Sequence, residues 1–203
     1  MIKSVTNDQN TNQMQLWPGV EDPRLRDQHD LMQFPFFSLA KRKRIEPIEY
    51  NRNGVQVTVR GVSEIGIASI WDADFLIWAA SQLNEAIERR ERVSARLWVV
   101  PYRFFRWAGR VRNSGNAGGR SYSEFMAMLM RLQGTQITTN IKAGGRIITE
   151  VWSWIDTWKS HQDASGRVHG VEVALSEWFV RRIMIDRSVL AISKEYFLLK
   201  GGI

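Results

Sequence analysis

The stretch from Asp72 to Ile155 constrains the fold most, because the period of its apolar residues changes at definite places. Phe75, Leu76, Ala79, Ala80, Leu83 and Ile87 recur at helical spacing. A long helix with one buried face is therefore expected to about Arg90, capped by Asp72 or Asp74, with a charged, exposed tail over Glu88–Arg92. Leu97–Val100 reads as a short extended piece. Pro101 suits the first turn of a second helix, Tyr102–Ala108, which Gly109 stops. Val111–Gly119 is a Gly- and Asn-rich loop. Ser121 or Ser123 then caps a third helix to about Gln133, with Phe125, Met128, Leu129 and Leu132 on its inner face and Gly134 at its end. Thr135–Ile141 and Arg146–Ile155 alternate on either side of Ala143-Gly144-Gly145, as a hairpin does. Helix, extended piece, helix, loop, helix, hairpin is the order of a winged helix-turn-helix, with the hairpin as the wing.

Smaller elements flank this unit. Met1–Asp30 is polar, lacks a period and is expected to be a mostly disordered tail. Met32–Leu39 is aromatic. Asn53-Gly54 between Pro47–Tyr50 and Val55–Val59 is a strong hairpin signal, and Gly61 ends the second strand. Downstream come a polar loop with Gly166, a strand at Val171–Ala174, a helix capped by Ser176 to about Met184, a strand at Val189–Ile192 and a last piece over Lys194–Leu199. The expected class is α+β: a winged helix-turn-helix with an additional N-terminal β-hairpin and C-terminal strand and helix elements. The expected division is a tail over 1–30 and a DNA-binding and dimerisation domain over 31–203.

Charge falls on the same unit. The chain carries a net charge of +7, yet Val93–Thr149 alone holds nine basic residues and one acid, Glu124. A one-signed stretch of this kind marks a surface that meets a polyanion, whereas a solvated face usually interleaves both signs. Arginine outnumbers lysine 21 to 7, which suits bidentate contact with phosphates and guanine edges. The candidate DNA contacts are Arg103, Arg106, Arg110, Arg112, Arg120, Ser121, Ser123, Arg131, Lys142 and Arg146. Arg110, Arg112 and Arg120 flank the Gly-rich loop, which either lets backbone approach phosphates or only spaces two helices. Arg120, Ser121, Ser123, Glu124, Ala127 and Arg131 form the expected outer face of the third helix, a sparse set for reading bases. Lys142 and Arg146 bracket the Gly-Gly turn at the expected wing tip. Lys41–Arg44 is either a phosphate contact or a solvated loop. Trp152, Trp154 and Trp158 either stack bases or pack a core or dimer surface, and an alternating strand favours packing.

Other functions find little footing. Without cysteine there is no disulfide framework and no cysteine zinc site. No secretory signal, no membrane span and no P-loop pattern is read. The three histidines, His29, His161 and His169, are isolated, and no His-x-His pair exists. No metal, cofactor or enzymatic activity is expected, and a cytoplasmic location is.

Four stretches carry a resemblance: Phe34–Tyr50 (FPFFSLAKRKRIEPIEY), Ile70–Leu83 (IWDADFLIWAASQL), Pro101–Gly109 (PYRFFRWAG) and Gly118–Thr139 (GGRSYSEFMAMLMRLQGTQITT). They resemble the replication initiator protein A family of plasmids, over roughly residues 30 to 200. The resemblance implies a bacterial, plasmid-encoded initiator that binds iterons, the repeated sites of a replication origin, and recruits host helicase and polymerase machinery. It implies two winged-helix domains, dimerisation through the first, and promoter repression by dimers. The similarity stops at Phe197–Ile203, so the second winged helix is expected to be absent. Two other functions stand beside initiation: a winged-helix transcriptional repressor, and a dimerisation module with little DNA binding of its own.

Overall fold

A computed structural model describes residues 23–24, 26–110, 119–141, 148–166, 168–185, 189–193 and 195–196, with the backbone alone at 119 and 120. Chain order is β1 (Arg26–Gln28), α1 (His29–Gln33), β2 (Ile48–Arg52), β3 (Val55–Arg60), α2 (Ile70–Glu88), β4 (Arg96–Val99), α3 (Pro101–Trp107), α4 (Gly119–Gly134), β5 (Gln136–Thr139), β6 (Glu150–Ser153), β7 (Ile155–Gln162), β8 (Val168–Leu175), α5 (Glu177–Met184) and β9 (Val189–Ala191). The chain is therefore α+β.

The strands form three antiparallel sheets, ordered β2-β3-β5-β6, β4-β8-β7 and β1-β9. The β2–β3 hairpin turns at Asn53 and Gly54, whose φ values of 51° and 77° are the left-handed pair that Asn-Gly supplies in a two-residue turn.

The expected hairpin over Thr135–Ile155 sits differently from its reading as a wing. β5 pairs with β6, but its other edge pairs with β3, Val57 lying opposite Thr139 and Val59 opposite Ile137. Those strands thus extend the N-terminal hairpin into a four-stranded sheet. The chain changes sheets at Trp154, which is fully buried and whose carbonyl accepts from the Ser176 N–H at 3.1 Å. Beyond it β7 continues to Gln162, through residues expected to be loop, and pairs with β8. β8 in turn pairs with β4, the strand between the first two long helices. The Ala143-Gly144-Gly145 turn lies outside the described residues.

Aromatic rings fasten the helices. Phe75 of α2, Phe104 of α3 and Phe125 of α4 meet pairwise at 5.7 to 5.9 Å between ring centres, and all three are fully buried. Such pairs contribute about 0.5 to 1.5 kcal/mol each beyond the area they bury. The expected inner face of α4 is the observed one: Phe125, Met128, Leu129 and Leu132 are all buried. On the other side of the core Trp152 stacks on Trp178 at 3.9 Å and 9°, and Trp154 stacks on Phe37 at 5.1 Å and 12°. Trp152 and Trp158 are half-buried against the same core. Of the two readings of the tryptophan stripe, packing holds.

Three helix and tail boundaries differ from expectation. α2 starts at Ile70, and Asp72 is the third residue of its first turn rather than the cap. Its Oδ2 accepts from the Ser69 N–H at 2.7 Å, the acidic half of a capping box. α4 begins at Gly119, so Ser121 and Ser123 lie inside the helix. Part of the segment expected to be a tail forms β1 and the start of α1, and β1 docks on α2: the Arg26 N–H donates to Ser81 Oγ at 2.7 Å, and that hydroxyl bonds back to the Arg26 carbonyl at 3.2 Å. Asp30, expected in the tail, is buried and ion-paired to Arg182 of α5.

Docking β1 also buries Asp27. Burial pushes its carboxyl up to about 7, opposed by the Gln28 N–H that donates to it. The folded value lies above the unfolded one, so this group's contribution is most favourable below pH 4 and is lost as pH rises through 7. Asp27→Asn keeps an acceptor for Gln28 without the charge. It is expected to stabilise the protein by about 1 to 3 kcal/mol at pH 8 and to have no effect at pH 4, measured by urea unfolding at both pH values.

Candidate nucleic-acid interface

Helix α3 is short and two-faced. Pro101 occupies its first position, where no N–H is needed, and Gly109 follows its end at φ 65°. Phe104 and Phe105 point into the core, so Arg103 and Arg106 are left outside. Both are exposed and neither is ion-paired among the described residues. This is the arrangement expected of cations that meet an outside anion.

Two other candidate arginines are held by acids of α2. Arg131 makes a bidentate pair with Asp72, Nε to Oδ2 at 2.8 Å and Nη2 to Oδ1 at 2.7 Å. The Asp72 carboxylate is 2% exposed, and its hydrogen bonds hold the guanidinium more firmly protonated than usual. Arg131 thus ties the last turns of α4 to the first turn of α2 instead of lying on α4's outer face. Arg110 pairs with Asp74 and donates to the Trp71 carbonyl at 2.9 Å. Burial raises the Asp74 carboxyl above the ordinary range, and the Arg110 charge and hydrogen bond pull the other way.

Outward from α4 stand Ser123 and Glu124, with Met130 45% exposed, and Ser121 is half-buried. Ser123 and Glu124 both have partners within the fold. The N-terminal half of α4 lies beside β7, where the Tyr122 and Ser160 hydroxyls bond at 2.5 Å. At its other end Gln133 Nε2 donates to the Asp156 carbonyl at 2.9 Å. The β7–β8 hairpin therefore projects from the side of α4. It carries exposed Lys159, His161 and His169, the histidines lying 3.8 Å from Glu172 and 3.1 Å from Asp163. Trp98 of β4 lies across Gly170 so closely that a Cβ there would sit 2.4 Å from the indole, fixing β8 against β4.

Arg112, the Arg120 side chain, Lys142 and Arg146 lie outside the described residues. In the Lys41–Arg44 run, Lys43 Nζ donates to the Ser63 and Glu64 carbonyls at 3.1 and 3.3 Å. Arg44 donates to those of Glu46 and Pro47, both at 3.0 Å. Lys43 thus braces the loop before α2 and Arg44 the turn before β2, while Lys41 and Arg42 are exposed. Charge patterning missed the acids that hold Arg110 and Arg131, and it missed Lys159 and the histidines of β7–β8. The alternation of the β7 residues was the available signal. Among the described residues no cluster of His, Asp and Glu is placed to hold a metal ion, and no helix is long and apolar enough to cross a membrane.

The sequence profile of replication initiator protein A matches residues 26–203. The chain belongs to that family. A putative replication protein of Wigglesworthia glossinidia brevipalpis is 31% identical over 177 residues, covering 85% of this chain and 61% of that protein. The chain thus spans about three-fifths of that relative's length. Among solved structures, domains 2 and 3 of RctB superpose with a TM-score of 0.52 at 7% identity, over 74% of this chain and 60% of that one. That likeness concerns the fold alone. The profile begins at Arg26, where β1 begins.

The Asp72–Arg131 bond is the hub of this family member's helical unit. Asp72→Ala is expected to cost about 2 to 4 kcal/mol in urea unfolding, less than a fully buried pair because the Arg131 side chain keeps 31% of its exposure. Adding Arg131→Met should cost much less than the sum of the two single changes. Additive costs would mean that the two side chains do not act as a pair.

Proposed function

We propose that this replication initiator A family member binds double-stranded origin repeats through a winged helix whose wing is the β7–β8 hairpin. The observation that carries this is the course of the chain: α2, β4, α3 and α4, then a hairpin whose second strand returns to pair with β4. In this reading the exposed arginines of α3, the outer face of α4 and Lys159 of the β7–β8 hairpin lie to one side of the helical unit. In this reading Arg103 and Arg106 grip phosphates, Lys159 and the hairpin run along the backbone, and α4 enters the major groove. Glu124, Ala127 and Met130 offer that groove one acceptor and two apolar contacts, suited to cytosine and thymine edges. In the same reading the chain takes part in initiation and recruits a host helicase in the cytoplasm, a role that its membership of the replication initiator A family supports. No catalytic step is assigned to the chain.

The test is selection of bound duplexes from a random pool at two salt concentrations, followed by titration of the Arg103→Glu/Arg106→Glu variant. The variant should bind at least about tenfold more weakly and lose about two from the slope of log K against log salt, one for each phosphate contact. An unchanged slope in a folded variant sinks the placement. Duplexes retained without an enriched motif would make the chain a phosphate grip rather than a reader of bases.

A homodimer is part of this proposal. The tryptophans are spent on the core, and the support comes instead from β6. It is an edge strand of its sheet, and Val151 in it is 58% exposed. Val151→Lys is expected to convert dimer to monomer in sedimentation velocity, since lysine on an open edge opposes strand pairing. Unchanged sedimentation would move the dimer surface elsewhere.

A further inference from the structure

We propose that Tyr196 is a positioning residue for the DNA-facing surface, acting through Asp74 on Arg110. The proposal rests on the DNA-binding reading above. Asp74 lies just past the first turn of α2, 6% exposed, and receives donors from two remote parts of the chain. One is Arg110, directly after α3. The other is the phenol of Tyr196, in the turn after β9. A buried carboxylate stays charged only as far as such donors offset its lost hydration.

The segment that carries Tyr196 is itself anchored on α2. β9 pairs with β1, β1 is bonded to Ser81, and the Tyr196 N–H donates to the Ser193 carbonyl at 3.0 Å. Burial and the facing carboxylates of Asp74 and Asp27 raise the phenol, so it remains a donor. The remaining charge near Asp74 is Asp72, already paired to Arg131. Arg110 in turn holds the end of α3, where the Gly109 N–H donates to the Arg106 carbonyl at 3.1 Å and the Arg110 N–H to that of Phe105 at 2.8 Å. Arg106, a proposed phosphate contact, is thus three bonded links from Tyr196.

Without the hydroxyl, burial of Asp74 is opposed by Arg110 alone, so its carboxyl titrates at higher pH. Once protonated it loses the charge that holds Arg110, and the end of α3 loosens. The effect must therefore appear at low pH and vanish at high pH.

The experiment uses Tyr196→Phe in the full chain, which keeps the buried ring. Amide exchange protection at Gly109 and Arg110 and affinity for a random-sequence duplex are followed from pH 5 to pH 9, in an Asp27→Asn background so that the other carboxylate facing the phenol does not titrate. The pH below which both are lost should lie higher in Tyr196→Phe than with Tyr196 in place, the loss being about three- to tenfold, the scale of one hydrogen bond, and above it both should stay within about twofold. Asp74→Asn should show the loosened state at every pH, and adding Tyr196→Phe to it should change nothing further. An unmoved pH of loss in Tyr196→Phe, or a further loss in the double variant, overturns the proposal. A native protein that retains no duplex defeats the DNA-binding reading, and the exchange result then still decides the coupling.

Discussion

The first turn of α2 is the point on which the rest of the helical unit depends. Asp72 is buried, and its carboxylate accepts from the Ser69 backbone and hydroxyl and from two nitrogens of Arg131. One side chain therefore closes the start of α2 and sets the end of α4 against it. A carboxylate in such a place is costly unless every lone pair finds a donor, and here the donors come from two segments distant in sequence. The interaction specifies geometry more than it adds stability, since an apolar pair of similar volume would hold the helices as well but without a preferred register. The three-ring cluster of Phe75, Phe104 and Phe125 supplies the adhesion, and the Asp72–Arg131 bond selects which adhesion is used.

Local signals in the sequence carried most of the elements. Asn53-Gly54, Pro101, Gly109 and Ser176 each impose a backbone requirement that neighbouring residues satisfy, and all four turns or caps are found where those residues stand. The pairing of strands was not legible in the same way. The residues from Thr135 to Ile155 alternate as a hairpin must, and β5 and β6 do pair. Nothing in that alternation says that the free edge of β5 will take up β3, nearly eighty residues earlier. Alternation also hid the change of sheet, because Trp154 is a core residue in both readings. The wing reading therefore fell on the first hairpin after α4, whereas the strand that returns to β4 belongs to the second.

The site was partly legible for the same reason. Counting charge along Val93–Thr149 finds the arginines but not the acids that fold against them. Asp72 and Asp74 lie outside that stretch, were read as helix caps, and each neutralises one of its arginines. Arg103 and Arg106 escape this because the turn that buries Phe104 and Phe105 sets them on the opposite side of a short helix. Amphipathic spacing within α3 was sufficient to place them, whereas Arg131 required knowledge of a neighbour fifty-nine residues away.

Splitting the arginines in this way has an electrostatic consequence. A cation already paired with a buried carboxylate adds almost nothing to the field outside, because the pair is a short dipole whose potential dies away faster than a charge does. On the proposed DNA-binding reading, the surface is then less positive than the sequence count implies, and its exposed cations include Arg103 and Arg106 of α3 and Lys159 of β7. Fewer free cations mean fewer released counterions and a shallower dependence on salt. On the proposed reading, a protein that must find repeats among a large excess of other DNA gains from that, since non-specific affinity comes from free cations, while Arg131, paired to Asp72, holds α4 against α2 in one orientation.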